Sequence, residues 1–363
     1  MIRISVILAN IAIAALLAGC AAPVTQRVSV SDQAVKDEAD KQREIAVQDI
    51  VEEQKRLARI YQALRTKAEA LCPEVGAHLG VYVMNRPENE FGRSYERVFG
   101  IQNRLTTLFV IDGSPAALAG LKARDIVLKV NRALTPDTKT ASGIFEALAP
   151  GASVTIEIER NGTAQTIAVQ SVRACKYPAR VAPEQVINAF ANGKEIFVTR
   201  GMMNFARDDI ELATVIAHEM AHNTMAHMDA KKQNMGIGLL ADIATILLSR
   251  GRVSNPNFAQ AGAQAYSQEF EAEADYVGLY ILAAAGYPID DAPKFWRRMA
   301  SANPGNIRGS HAASHPSTPY RMLALEETVK EIKDKIAKKL LLTPNLKDGK
   351  PQRTSDGVEK NKD

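Results

Sequence analysis

The chain has 363 residues, 46% of them hydrophobic and 24% charged, with 22 Gly and 16 Pro, a composition that excludes collagen-like, low-complexity and wholly disordered polymers. Its 45 Lys+Arg against 41 Asp+Glu leave a formal net charge of +4, with no basic stripe interleaved with aromatics, so no nucleic-acid partner is expected. At roughly 100 to 200 residues per domain the length predicts about two domains.

The chain opens with Arg3 and an apolar run from Ile4 to Ala18, interrupted by Ser5 and Asn10 and ending in Leu17-Ala18-Gly19-Cys20. Such a run is short for a membrane span and reads as an export leader. Its ending resembles the lipobox of bacterial lipoproteins. That resemblance implies removal of residues 1–19 and acylation of Cys20, and Ala21 in place of an Asp points to the outer membrane, facing the periplasm. Residues 20–40 are polar, as a tether should be. Ile45, Ile50, Leu57, Ile60, Leu64 and Leu71 then recur near helical spacing, with Pro73 as a stop, predicting one long amphipathic helix over 41–72. With Cys20 acylated, Cys72 and Cys175 are an even pair in an oxidising compartment. A bridge between them is expected; the alternative is two buried thiols.

Between these cysteines, residues 73–175 read as strands around two short helices. Leu79–Met84 and Leu105–Ile111 are strands, Gly113 to Leu121 a turn and short helix, Asp125–Val130 a strand and Ser142–Leu148 a helix. Val154, Ile156 and Ile158 alternate with polar residues, and Asn161-Gly162 supplies a two-residue turn before Ile167 and Val169. The run from Gly113 to Val130 resembles a bacterial PDZ domain, which implies peptide binding. Arg124 and Arg132 stand where that pattern commonly has Gly.

After Cys175, a short strand at 196–199 precedes a helix through Glu211 to His227, an apolar stretch from Met235 to Leu248, a helix over about 268–284, and a last helix with Leu325, Val329, Ile332, Ile336 and Leu340 on one face. The apolar stretch is too short to span a bilayer and includes Asp242, so burial in the protein or contact with a membrane surface is expected. Residues 346–363 read as a disordered tail.

Chemistry concentrates in His218-Glu219-Met220-Ala221-His222. At about 100° per residue, the two histidines lie about 40° apart, one turn along the same face, and both can grip one ion. Glu219 beside them can accept a proton from a water at that ion. His227 lies nine residues past His218, about 180° round a continuous helix, and so faces elsewhere. The third ligand must come from another segment. Glu269-Phe270-Glu271-Ala272-Glu273-Ala274-Asp275 offers carboxylates on a second helix, where Glu271 and Asp275 share a face. Glu271 as ligand with Asp275 orienting an imidazole completes a two-His, one-Glu site, with Glu273 or Glu269 as alternative ligands.

The segments Asn188-Ala189-Phe190-Ala191, Ile196 to Gly201, Glu211-Leu212-Ala213, His218 to His222, Glu271 to Asp275 and His315-Pro316-Ser317 together resemble the HtpX-like zinc endopeptidases, a gluzincin family that includes the CAAX prenyl endopeptidases. The resemblance implies one Zn2+ per subunit held by His218, His222 and Glu271, and catalysis by Glu219. It also implies pairing of extended substrate with the strand Ile196, Phe197, Val198 and Thr199, and a late His315 that approaches the metal in some relatives and precedes Arg321. The expected fold class is α+β, a mainly helical metallopeptidase domain over 41–72 and 176–345 with a small edge-strand sheet, interrupted by a β-rich PDZ-like domain. The expected function is a zinc endopeptidase that cleaves misfolded or misassembled periplasmic and outer-membrane proteins. Envelope chaperones or assembly machinery would be its further partners. The rival is a periplasmic chaperone or assembly adaptor with a structural zinc, for which an intact Glu219 would have no use.

Overall fold

The computed structural model describes residues 24–249, 253, 256–264, 267–302 and 318–347. The expected leader and acylation at Cys20, the expected His315 and residues 348–363 of the expected tail lie outside the described residues. The chain forms two compact units, up to Arg43 and from Glu44 onward. Helix α1 (Asp32–Lys67) begins nine residues before the expected position. Its early turns lack an apolar stripe, but Ser31 Oγ accepts from Ala34 N at 3.2 Å, and Gln33–Asp37 and Gln42–Glu38 pairs at one-turn spacing support the exposed segment. Farther on, Val47, Val51, Leu57, Ala58, Ile60, Tyr61 and Leu64 are buried, whereas Ile45 and Ile50 are exposed. Of the predicted positions, Leu57, Ile60, Leu64 and Leu71 are thus buried, and only the two nearest the N-terminus fall off the buried stripe.

A 3-10 turn (Glu69–Leu71) leads to Cys72, and β1 (Val75–His78) pairs antiparallel with β8 (Val172–Cys175). This ribbon is the neck of the insert, and Cys72 and Cys175 are disulfide-bonded across its base with Cα atoms 5.7 Å apart. Beyond the neck come β2 (Val81–Met84), α2 (Gly92–Phe99), β3 (Thr106–Val110), α3 (Pro115–Leu118), β4 (Ile126–Val130), β5 (Ala133–Leu134), α4 (Thr138–Glu146), β6 (Ser153–Arg160) and β7 (Thr163–Gln170). The sheet runs β2-β3-β4-β6-β7, with β5 also on β4. Leu79, Leu105, Val127, Val154, Ile156 and Val169 form its core. Arg124 and Arg132 have φ of 72° and 71°, the left-handed region that explains why glycine is common there, at a cost of roughly 1 to 2 kcal/mol each. Arg124 offsets part of it by donating to the Phe99 and Val98 carbonyls.

The body outside the insert adds β9 (Ala179–Ala182), β10 (Ala189–Ala191) and β11 (Ile196–Thr199), then α5 (Arg200–Phe205), α6 (Asp209–Thr224), α7 (His227–Leu248), α8 (Phe258–Gln264), α9 (Ser267–Ala284), α10 (Ala292–Ala302) and α11 (Pro319–Ala337). The class is α+β. One core joins Leu57, Ile60 and Leu64 of α1 to Ile196, Ile216 and Tyr280. A separate cluster joins Val51 and Ala58 of α1 to Phe109 and Ile111 of the insert, with Tyr82 stacked on Phe109 at 4.3 Å. Helix α1 thus belongs to both bodies.

The bridge closes a loop of sequence separation 103, for which chain entropy predicts about 4 to 5 kcal/mol. Replacing both cysteines with Ser should lower the unfolding free energy by about that amount in urea titration. Peptide mapping without reduction should recover Cys72 joined to Cys175.

Candidate metal centre

Helix α6 starts where Asp208 accepts from the backbone N–H groups of Ile210 and Glu211 at 3.0 and 2.8 Å, satisfying donors that a helix start leaves open. The helix is buried from Leu212 to Thr224. Helix α9 crosses it closely because of Gly278: a Cβ there would lie 3.1 Å from both Cα and N of His218. That approach brings Glu271 and Asp275 against the histidines. His218 Nε2 lies 3.1 Å from His222 Nε2 and 3.4 Å from Glu271 Oε2, and His222 Nε2 lies 3.3 Å from Glu271 Oε1. His218, His222 and Glu271 can each offer one atom to a common ion, and all three are buried. Tetrahedral ligands about 2.0 to 2.1 Å from an ion are about 3.3 to 3.4 Å apart, so the spacing suits zinc.

The charge balance also fits a divalent ion. Glu219, Glu271 and Asp275 are buried together with a single guanidinium, that of Arg321. Three buried carboxylates around one guanidinium make an acidic site of the kind that suits a cation. Arg321 Nε and Nη2 donate to Asp275 at 2.6 and 2.8 Å, and Nη1 reaches Glu271 at 3.2 Å. Asp275 in turn lies 3.0 Å from His218 Nδ1, an arrangement in which that nitrogen would donate to the carboxylate and leave Nε2 for an ion. Burial disfavours a charged His218, but the Asp275 and Glu271 carboxylates outweigh it and hold its pKa up to about 9. Burial likewise opposes ionisation of Asp275, and Arg321 overrides it and keeps the carboxyl below its ordinary pKa.

His227 was expected to face away, and the structure corrects this. Helix α6 ends at Thr224, and Ala226 adopts φ 54°, ψ 33° before α7 begins. This left-handed break turns the chain, so His227 Nδ1 reaches His222 Nδ1 at 2.9 Å and His227 Nε2 reaches Glu273 at 3.0 Å. Phe270 stacks on the His227 ring at 4.8 Å. For His222 to present an unprotonated Nε2, its Nδ1–H must donate to His227, whose Nε2–H donates to Glu273. Each imidazole ligand therefore ends on a carboxylate, one directly and one through a second imidazole. The assumption of an unbroken helix hid this arrangement.

The strand expected to pair with substrate is also corrected. Ile196, Phe197, Val198 and Thr199 form β11, the middle strand of the order β10-β11-β9, antiparallel to β10 and parallel to β9. With a neighbour on each side, its peptide groups are not open to another chain. Among the described residues the unpaired edge beside α6 is β10, and Asn223, next after His222, pins the turn that carries it. Asn223 accepts from Gly193 N at 2.8 Å and donates to the Glu195 carbonyl at 3.2 Å. A cleft of about 680 Å³ opens on this turn's other side, lined also by Gly80, Tyr82 and Phe145 of the insert.

Residues 157–329 match peptidase family M48 and residues 110–160 match the PDZ domain. The chain is 29% identical over 162 residues to the mitochondrial metalloendopeptidase OMA1 of Arabidopsis thaliana, covering 44% of this chain and 33% of that one. It is 32% identical over 127 residues to a putative beta-barrel assembly-enhancing protease of Vibrio cholerae, covering 31% and 26%. The chain thus spans a third or less of the length of these relatives. Among solved structures, an HtrA-type protease AlgW with decapeptide is similar over 27% of this chain and 30% of that chain, with 20% identity and a TM-score of 0.24.

Trp296 is the only tryptophan, and its ring lies 4.9 Å from that of His218, so its emission should report metal uptake. In zinc titrations against a competing chelator, Glu271→Ala should abolish the response. His227→Ala should weaken affinity by about 10- to 100-fold, as loss of a partner that orients a ligand imidazole does. An unchanged His227→Ala titration would remove it from the site.

Proposed function

We propose that this chain, whose residues 157–329 match peptidase family M48 and whose residues 110–160 match the PDZ domain, is a zinc-dependent endopeptidase of the bacterial envelope. The observation that carries this reading is the convergence of His218, His222 and Glu271 beside the buried carboxylate of Glu219. His218 and His222 would hold the ion from α6 and Glu271 from α9. A bound zinc ion supplies Lewis-acid polarisation of the scissile carbonyl and eases deprotonation of the attacking water.

Glu219 then takes the water proton at its carboxylate and returns it to the leaving amine. Asp275 and the His227–Glu273 pair fix the two imidazoles, and Arg321 keeps Asp275 ionised. Extended substrate adds to the free edge of β10, where backbone hydrogen bonding is independent of side-chain identity. The PDZ unit supplies selection: its strand β2 and helix α4 border the cleft that also meets the β10–β11 turn. Recognition of backbone and of an exposed peptide suits unfolded or misassembled proteins as substrates. The relatives named beta-barrel assembly-enhancing protease in Vibrio cholerae and Yersinia pestis support a role in quality control at the outer membrane. The leader motif ending at Cys20 supports tethering there as a lipoprotein facing the periplasm, with envelope chaperones or assembly machinery as partners.

Glu219→Gln should bind zinc with wild-type affinity in the Trp296 titration and lose cleavage of an unfolded protein by at least about 100-fold, the lower end for removal of a general base. Full cleavage by this variant would sink the mechanism. Absence of cleavage by the zinc-loaded wild type would favour the adaptor.

A further inference from the structure

Helices α7 and α8 pack against each other with the usual order of side chains inverted. At Gly238 a Cβ would lie 2.0 Å from the Phe258 carbonyl oxygen, and at Gly262 it would lie 2.2 Å from that of Asn234, so the backbones touch and only glycine fits. The large apolar side chains point outward instead. Met235, Ile237, Leu239, Leu240, Ile243, Ile246, Leu247 and Leu248 are all exposed, Leu240 by 69% and Leu247 by 71%. Helices that meet through small residues and turn large apolar ones outward match an apolar solvent, since water favours the reverse.

The one charge in this stretch is withdrawn. Asp242 is buried, and its carboxylate accepts from Phe258 N and Ala259 N at 2.8 and 2.9 Å, capping α8. At about 100° per residue the exposed apolar side chains cover an arc of about 220° around α7. A single docked protein face covers one side of a helix, whereas a fluid surrounds it. The stretch from Met235 to Leu248 is about 21 Å long at 1.5 Å per residue, short of the roughly 30 Å hydrocarbon core. No described helix is long and apolar enough to cross a membrane.

We propose that the α7–α8 hairpin embeds in one leaflet of a lipid bilayer, as a membrane contact separate from Cys20. Because α7 starts at His227, this contact would hold the metal centre at the bilayer surface and favour substrates that lie there.

The test places a single thiol at Leu240→Cys or Leu247→Cys in the full chain and labels it with an environment-sensitive fluorophore. Labelled parent protein provides the baseline for any reaction elsewhere, and zinc uptake equal to the parent's establishes the fold. Vesicles of phosphatidylethanolamine and phosphatidylglycerol, with or without spin-labelled acyl chains, are then added. A blue shift and loss of roughly half of the emission to the spin-labelled lipid are expected at both positions, as for side chains within the acyl boundary. Neither should occur at Leu118→Cys, an exposed control in the insert. Emission at 240 and 247 matching that control would overturn the proposal. A shift that ignores the spin label and grows with protein concentration would assign the face to a second copy of the chain, and would overturn it equally.

Discussion

The structure is organised around carboxylates that have been taken out of water. Glu271 and Asp275 are buried on one turn of α9, and each such charge costs several kcal/mol unless its partners are well placed. Arg321 meets Asp275 with two hydrogen bonds, Asp275 meets His218, and Glu271 faces both ligand imidazoles. To bring these groups together, α9 must approach α6 at Gly278, and α11 must begin where its first turns deliver Arg321. The arrangement of these three helices follows from that requirement. Against the cost of burial, the Asp275 and Glu271 carboxylates in turn raise the pKa of the His218 imidazole between them.

The two imidazole supports differ in construction. His218 receives its carboxylate from a residue on the same α9 face as Glu271, so one helix supplies both a candidate ligand and an orienting group. His222 receives its support from His227, the first residue of the next helix, and Glu273 stands behind it. Ligand and support for His222 therefore lie on either side of a left-handed residue, Ala226, whose unfavourable backbone is held in place by the hydrogen bonds on its far side.

The sequence showed most clearly those features whose geometry is local. One helical turn separates His218 from His222 and Glu271 from Asp275, and the alternation through Val154, Ile156 and Ile158 with Asn161-Gly162 marks a hairpin that the structure contains. Features that depend on long-range placement were less legible. The break at Ala226 leaves no glycine or proline to mark it, so His227 was assigned to the wrong side. Strand β11 has an apolar run and a Thr cap that announce a strand, but its position between β9 and β10 is a matter of pairing, which no local pattern encodes. The start of α1 was missed because its first turns are stabilised by capping and polar pairs instead of an apolar stripe.

Helix α1 has a consequence for how such a chain arises. Its Leu57, Ile60 and Leu64 belong to the core of the body outside the insert, while Val51 and Ala58 on another face meet the insert. An ancestor without the segment between Cys72 and Cys175 would have presented those latter side chains to water, and a descendant that lost the segment would do so again. Gain or loss of the insert in a lineage is therefore coupled to substitutions on a helix outside it.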